Sequence, residues 1–159
     1  MLAFFYDKNN SKNKRECWVN IRLAQSKDTE FICHLLKQMV YSQPLRLIEE
    51  QFQRLSKDSN AITLVAADDS NVYGVLSLYF IPQIALKGDF AKICYLCVDE
   101  NMRSKGVGHL LVQEAERLAR QRGCDRMELH SGLQRSLAHQ FYLREGYVEA
   151  PKYFRKALN

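Results

Sequence analysis

The chain has 159 residues, 47% of them hydrophobic and 26% charged, with seven glycines and three prolines. That describes one ordinary globular domain and excludes a disordered, collagenous or multidomain protein. Twenty-three Lys and Arg against eighteen Asp and Glu leave a net charge of +5, which favours an anionic partner without choosing between a phosphorylated cofactor, a nucleic acid and an acidic surface.

Taken in chain order, residues 1–17 are expected to be a flexible leader outside a single domain at 18–159, because Asp7 to Glu16 is almost wholly Asn, Lys, Ser and Arg with nothing to bury. Trp18 to Leu23 alternates apolar and polar residues, as a strand packed on one face does. Ser26 is placed to cap a helix whose stripe is Phe31, Ile32, Leu35, Leu36 and Met39. Pro44 starts a second helix with Leu45, Ile48, Phe52 and Leu55 on one side. From Ala61 the period changes: Ile62 to Ala67, a turn at Asp68 to Asn71, and Val72 to Ile81 read as a hairpin. Ala91 to Val98 is a continuous apolar strand suited to the middle of a sheet, ended by Asp99. Arg103 to Gly108 then runs directly into a helix with the stripe Val107, Leu110, Leu111, Ala115 and Leu118, stopped by Gly123. A short strand (Arg126 to His130), a helix bearing Leu137, Ala138, Phe141 and Tyr142, and a last strand from Lys152 to Leu158 complete an α/β (α+β) domain with a mixed sheet.

No run approaches the roughly 20 apolar residues of a membrane-spanning helix, and the apolar opening Leu2 to Tyr6 is too short for a signal segment. Five cysteines (Cys17, Cys33, Cys94, Cys97, Cys124) at irregular spacing read as reduced thiols, so a cytoplasmic setting is expected. Regular strand alternation puts Cys94 and Cys97 on opposite faces, which argues against their sharing a metal ion. The basic leader lacks interleaved aromatics, and a nucleic-acid partner is disfavoured.

A helix that opens on Gly106-Val107-Gly108 directs its unpaired first N–H groups outward, and the helix dipole together with Arg103 and Lys105 suits them to a diphosphate. Leu111 stands where a dinucleotide fingerprint needs its third glycine, and no Gly-Lys-Ser/Thr occurs, so the usual NAD and ATP sites are disfavoured. A tight strand-to-helix turn would ask for the same glycines.

The run Val98 to Gly108 resembles the acetyl-CoA loop of the GNAT family of N-acetyltransferases, Arg/Gln-x-x-Gly-x-Gly/Ala after a strand ending in Val-Asp. Ala138 to Tyr147 is similar to that family's second signature, Ala-x-x-Phe-Tyr-x-x-x-Gly-Phe/Tyr. The likeness extends from Val19 to Leu158 and implies a central sheet splayed into a V between its central strands, flanked by about four helices. It implies acetyl-CoA as cosubstrate, with the main chain of Leu96, Cys97 and Val98 along the pantetheine arm. Arg103, Ser104, Lys105, Gly106, Val107, Gly108 and His109 would surround the pyrophosphate. Tyr142 matches the family's general acid, whereas spacing alone reads it as core beside Ala138 and Phe141. The resemblance further implies direct attack of a primary amine on the thioester, the acceptor being a small molecule. A protein α-amino or lysine acceptor and an acetyl-CoA-binding domain without turnover are the alternatives, and homodimers are common in the family. Where many members carry a glutamate on the central strand this chain has Cys94; Asp99, Glu128 and His130 are the substitutes considered, and the base stays unassigned.

Overall fold

The computed structural model describes residues 19–150 and 154–158; the expected leader and Trp18 lie outside them. Five strands lie side by side in chain order: β1 (Asn20–Leu23), β2 (Ala61–Ala67), β3 (Val72–Pro82), β4 (Asp89–Val98) and β5 (Met127–Leu129). The first four pair antiparallel, and β5 joins β4 in parallel. Four α-helices connect them: α1 (Thr29–Gln38), α2 (Leu45–Leu55), α3 (Val107–Arg122) and α4 (Ser136–Arg144), with single 3-10 turns at Ser26–Asp28 and Glu100–Met102. Of the expected last strand, residues 154–158 carry no regular secondary structure and 151–153 lie outside the described residues.

Strand alternation sends side chains to two cores. Leu64, Ala66, Leu76, Leu78, Phe80, Ala91 and Ile93 meet Val107, Leu111, Val112, Ala115 and Ala119 of α3 on one face. Val65, Ala67, Val75 and Cys97 meet Ile32 and Leu35 of α1 on the other. Helix α2 has no buried residue, and its apolar stripe is only half covered. None of the described helices is long and apolar enough to cross a membrane.

The entry to α1 differs from the Ser26 cap expected. Ser26 opens a 3-10 turn, and the anchor is Asp28, whose carboxylate accepts the Gln25 N–H at 2.8 Å and both ends of the Arg22 guanidinium at 2.6 and 2.9 Å. Asp28 is 2% exposed, a position that a carboxylate occupies only when its lone pairs are met. At the other end of α1, the Val40 N–H donates to Lys37 C=O and the Tyr41 N–H to Leu36 C=O, both at 3.0 Å. This is a Schellman turn, and it holds Val40 at φ 71°. A β-branched side chain there costs roughly 1–2 kcal/mol where glycine is usual.

The Arg22 hydrogen bonds hold the Asp28 carboxyl below its ordinary value, against burial that pushes it up. Because the folded state binds this proton less readily than the unfolded chain does, the contribution is present above pH ~4 and is lost as pH falls. Asp28→Asn is expected to cost about 2 kcal/mol at pH 7, less than a wholly buried pair because Arg22 is a third open to solvent. Urea unfolding at pH 7 and pH 3 checks this: the gap between variant and wild type should narrow at pH 3, and an unchanged gap would remove the carboxylate as its source.

Candidate active site

Strand β4 has β5 beside it only as far as Ile93, which pairs with Leu129; from Cys94 to Val98 its neighbour among the described residues is β3 alone. The β3–β4 register slips by one between Ser77 and Leu78, leaving Cys94 as the extra residue of a β-bulge. Below the bulge, the Ala91 N–H donates to Arg126 C=O at 3.0 Å, toward β5. Above it, the Asp99 N–H donates to Tyr73 C=O at 2.8 Å, so antiparallel alternation directs the main chain of Cys97 and Tyr95 at β3 and that of Leu96 and Val98 at the open side. The Val98 carbonyl accordingly accepts from Arg103 Nε at 3.2 Å. Leu96 and Val98 thus offer main-chain groups to a ligand, whereas those of Cys97 are directed at β3. The bulge also changes side-chain parity: Ile93 and Leu96 face α3 while Cys97 faces α1. Regular alternation therefore does not describe Cys94 and Cys97. They differ by burial, Cys94 exposed and Cys97 buried with Sγ 3.1 Å from Leu35 C=O.

Next to this edge, the loop into α3 holds Ser104 at φ 60° and Gly106 at φ 88°, with negative φ between them. Such alternation gathers successive N–H groups into one concavity. The first helical bond of α3 runs from Leu110 N–H to Gly106 C=O, 3.1 Å, so the N–H groups of Gly106, Val107, Gly108 and His109 precede any helical partner. The two glycines do different work. A Cβ on Gly106 would meet nothing within 4 Å, so glycine is there for its backbone angle and leaves the concavity open. A Cβ on Gly108 would stand 3.3 Å from the Phe141 ring and 3.7 Å from Val98, so glycine is there to let α4 and β4 approach. Lys105 reaches only Met102 Sδ, 3.8 Å away. The His109 imidazole meets Glu145 at 2.7 Å, joining the first turn of α3 to the end of α4.

On α4 the structure separates two aromatics that spacing had grouped together. Phe141 packs on the α3 side of the core, while Tyr142 is half-buried, in edge contact with Phe141 (5.2 Å between centroids) and Tyr147 (5.8 Å). Burial pushes the Tyr142 phenol above its ordinary value, and the positive charge of Arg135 opposes this. It stays protonated at neutral pH and can donate. The Cys97 thiol is pushed up to about 11 by burial, with Arg103 and Arg135 opposing; it is a thiol at neutral pH and a poor nucleophile. Arg135, which the sequence reading passed over, lies on the loop before α4, and its guanidinium reaches Met39 C=O at the end of α1, 3.4 Å away. Only its position in the fold reveals it.

Two of the substitute bases are already engaged. Burial pushes the Asp99 carboxyl up, yet hydrogen bonds from Gln38 and Asn101 outweigh it and leave the value lowered. Glu128 accepts from Arg126 Nε at 2.6 Å. His130 sits just past the end of β5. No group of three or more His, Cys, Asp or Glu among the described residues could hold a metal ion. A cavity of about 210 Å³ is lined by Ser26, Thr29, Glu49, Phe52 and Gln53, none of which belongs to the β4 edge, the loop into α3 or α4.

A model of the Acetyltransferase (GNAT) family matches residues 27–147. The chain is 34% identical over 142 residues to the aminoalkylphosphonate N-acetyltransferase of Salmonella typhimurium, covering 87% of this chain and 90% of that one. Among solved structures it is similar to a transcriptional regulator from Bacillus halodurans (TM-score 0.81, 26% identity, 88% of this chain and 99% of the other). The fold is also shared with glucosamine-6-phosphate N-acetyltransferase from Arabidopsis thaliana (TM-score 0.75, 18% identity, 89% and 99%).

The different reasons for the two glycines are separable by a double-mutant cycle. Gly106→Ala should cost about 1–2 kcal/mol whatever stands at 141, because the strain is in its own backbone. Gly108→Ala should destabilise the wild type but stabilise a Phe141→Leu background, where the roughly 1 kcal/mol helical advantage of alanine is no longer opposed by the ring. Urea unfolding of wild type, the three single variants and the two doubles with Phe141→Leu reads this. Zero coupling between 108 and 141 would mean that the ring gives way freely.

Proposed function

The chain belongs to the GNAT family of acetyltransferases, and from that premise we propose that it moves the acetyl group of acetyl-CoA to the primary amine of a small molecule by direct attack in a ternary complex. The observation that carries this reading is the parting of β4 from β5 after Ile93, which leaves the outward main chain of Leu96 and Val98 beside the open concavity at Gly106. Amides of a pantetheine arm need such partners. We take residues 18–159 as the catalytic domain, with 1–17 outside it.

Acetyl-CoA, when bound, supplies an activated acyl group as a thioester. The residues present fit it: N–H groups from Ser104 to His109 hold the pyrophosphate, and Arg103 and Lys105 add charge at its mouth. The Val98 carbonyl accepts from Arg103 through one lone pair and keeps the second for an amide of the arm. The outward N–H of Leu96 is positioned on the open edge to stabilise the oxyanion as the amine nitrogen adds to the carbonyl carbon. Tyr142 then gives its proton to the departing sulfur as the C–S bond breaks, and regains one from the nitrogen of the new amide through solvent. The relative named for aminoalkylphosphonate acetylation supports a small amine acceptor. Without a carboxylate at Cys94 the amine loses its proton to solvent or to a group near the end of β5, so kcat/KM should rise with pH toward the amine's own value near 10. The same absence favours a second reading, an acetyl-CoA-binding domain without turnover.

A thermal unfolding scan with acetyl-CoA at about a hundred times its Kd should raise the midpoint by about 5–10 °C, where ATP and NAD leave it unchanged. Free-thiol release with an amine panel then separates the two readings. Tyr142→Phe should keep the thermal shift and lower kcat about 100-fold or more; undiminished turnover in that variant would end its role as acid.

A further inference from the structure

Six arginines of the described chain are ion-paired: Arg22, Arg46, Arg117, Arg120, Arg122 and Arg126 each meet a carboxylate. Arg54, Arg103, Arg135, Arg144 and Arg155 have no carboxylate within ion-pair distance among the described residues, and of these five Arg103 and Arg135 are the two that donate to a main-chain carbonyl. Arg103 stands at the mouth of the diphosphate concavity. Arg135 is at a different place, half-buried on the loop between β5 and α4, and it reaches residue Met39, 96 positions away in sequence, on the helix that covers the other face of the sheet. The bond therefore crosses from the loop after β5 to the end of α1.

Three features make that crossing a binding position. The bond to Met39 is long, 3.4 Å, and uses one nitrogen of a group with five N–H donors. Arg135 is the residue immediately before α4, the helix that carries Tyr142, and its positive charge opposes the upward push of burial on both the Tyr142 phenol and the Cys97 thiol. The strained turn at Val40 directly follows the Met39 carbonyl that Arg135 reaches, and Tyr41 beyond it meets Tyr95 of β4 edge to face at 5.4 Å.

We propose that Arg135 is a specificity-determining residue that grips the anionic group of the acceptor, a phosphonate or carboxylate separated from the amine by a short alkyl chain, by exchanging the Met39 carbonyl for paired oxygens. A planar guanidinium matches two such oxygens at once, and fixing one end of a short amine aims its nitrogen. The proposal rests on the acetyltransferase reading above and names the acceptor class for it.

The test compares wild type, Arg135→Gln and Arg135→Lys in free-thiol release from acetyl-CoA, with 2-aminoethylphosphonate and with propylamine as acceptors. Calorimetric titration of 2-aminoethylphosphonate into the CoA-saturated protein accompanies it. Arg135→Gln should raise KM for 2-aminoethylphosphonate about 10- to 100-fold, and lower its preference over propylamine by a similar factor, with the acetyl-CoA thermal shift kept. Arg135→Lys should recover part of the loss. Equal losses with both amines would make Arg135 a cap on α1, and a raised KM for acetyl-CoA would make it a cofactor ligand; either overturns the proposal, as does an unchanged preference. A wild type that takes acetyl-CoA but neither binds nor acetylates 2-aminoethylphosphonate also overturns it, and leaves the acetyl-CoA reading standing. If acetyl-CoA gives no shift, that reading fails separately, and the calorimetric comparison of wild type with Arg135→Gln, run without CoA, still decides the anion site.

Discussion

A strand with a neighbour on one side only carries main-chain donors and acceptors that something else must meet, and among the described residues β4 is such a strand from Cys94 to Val98. Everything around the cleft follows from how that edge is kept open. Parallel pairing with β5 stops at Ile93, and the bulge at Cys94 shifts the phase of the strand by one residue. Before the bulge the outward groups belong to Ala91 and Ile93 and are taken by β5; after it they belong to Leu96 and Val98 and face the gap. The same shift returns Cys97 to the α1 side, where its side chain seals the second core.

The open edge is held in place from above and beside. Gly74 in β3 lets α3 come close, since a Cβ there would stand 2.9 Å from Leu111. Gly108 lets α4 come close through Phe141. His109 and Glu145 tie the same two helices at the surface. Helix α3 thus starts directly over the end of β4, and its unpaired N–H groups and the strand's unpaired edge belong to one continuous surface. Of Gly74, Gly106 and Gly108, Gly106 is the one free of packing, which is why its residue choice reports on backbone angle and ligand access together.

Charge divides that surface into two ends. Around the start of α3, Arg103 and Lys105 combine with a helix dipole, an arrangement suited to a diphosphate. Toward the end of α1, Arg135 is the cation, and the groups it influences are a phenol and a thiol that burial keeps neutral. Among the described residues no carboxylate contacts Arg103 or Arg135, whereas Arg22, Arg122 and Arg126 each meet one.

Element types and order were legible in the sequence from β1 to α4 because each has its own period: alternation in the hairpin, three-and-four spacing in α1 and α3, and glycines at the ends of α3 and α4; the strand expected from Lys152 to Leu158 is not regular over its described part. The two family signatures, Arg103 to Gly108 and Ala138 to Tyr147, likewise carried the enzyme class. What the sequence could not contain was anything set by one element against another. A bulge is a mismatch between two strands, so the outward role of Leu96 and Val98 and the β3-facing main chain of Cys97 were invisible in the run Ala91 to Val98. The separate reasons for Gly106 and Gly108, and the division of Phe141 from Tyr142, depend on α4 lying against α3. Arg135 had no motif at all; its meaning comes from a carbonyl 96 residues away. Local periodicity and short motifs are properties of neighbours in the chain, whereas which donor is left without a partner is decided only when distant elements have taken the partners they can reach.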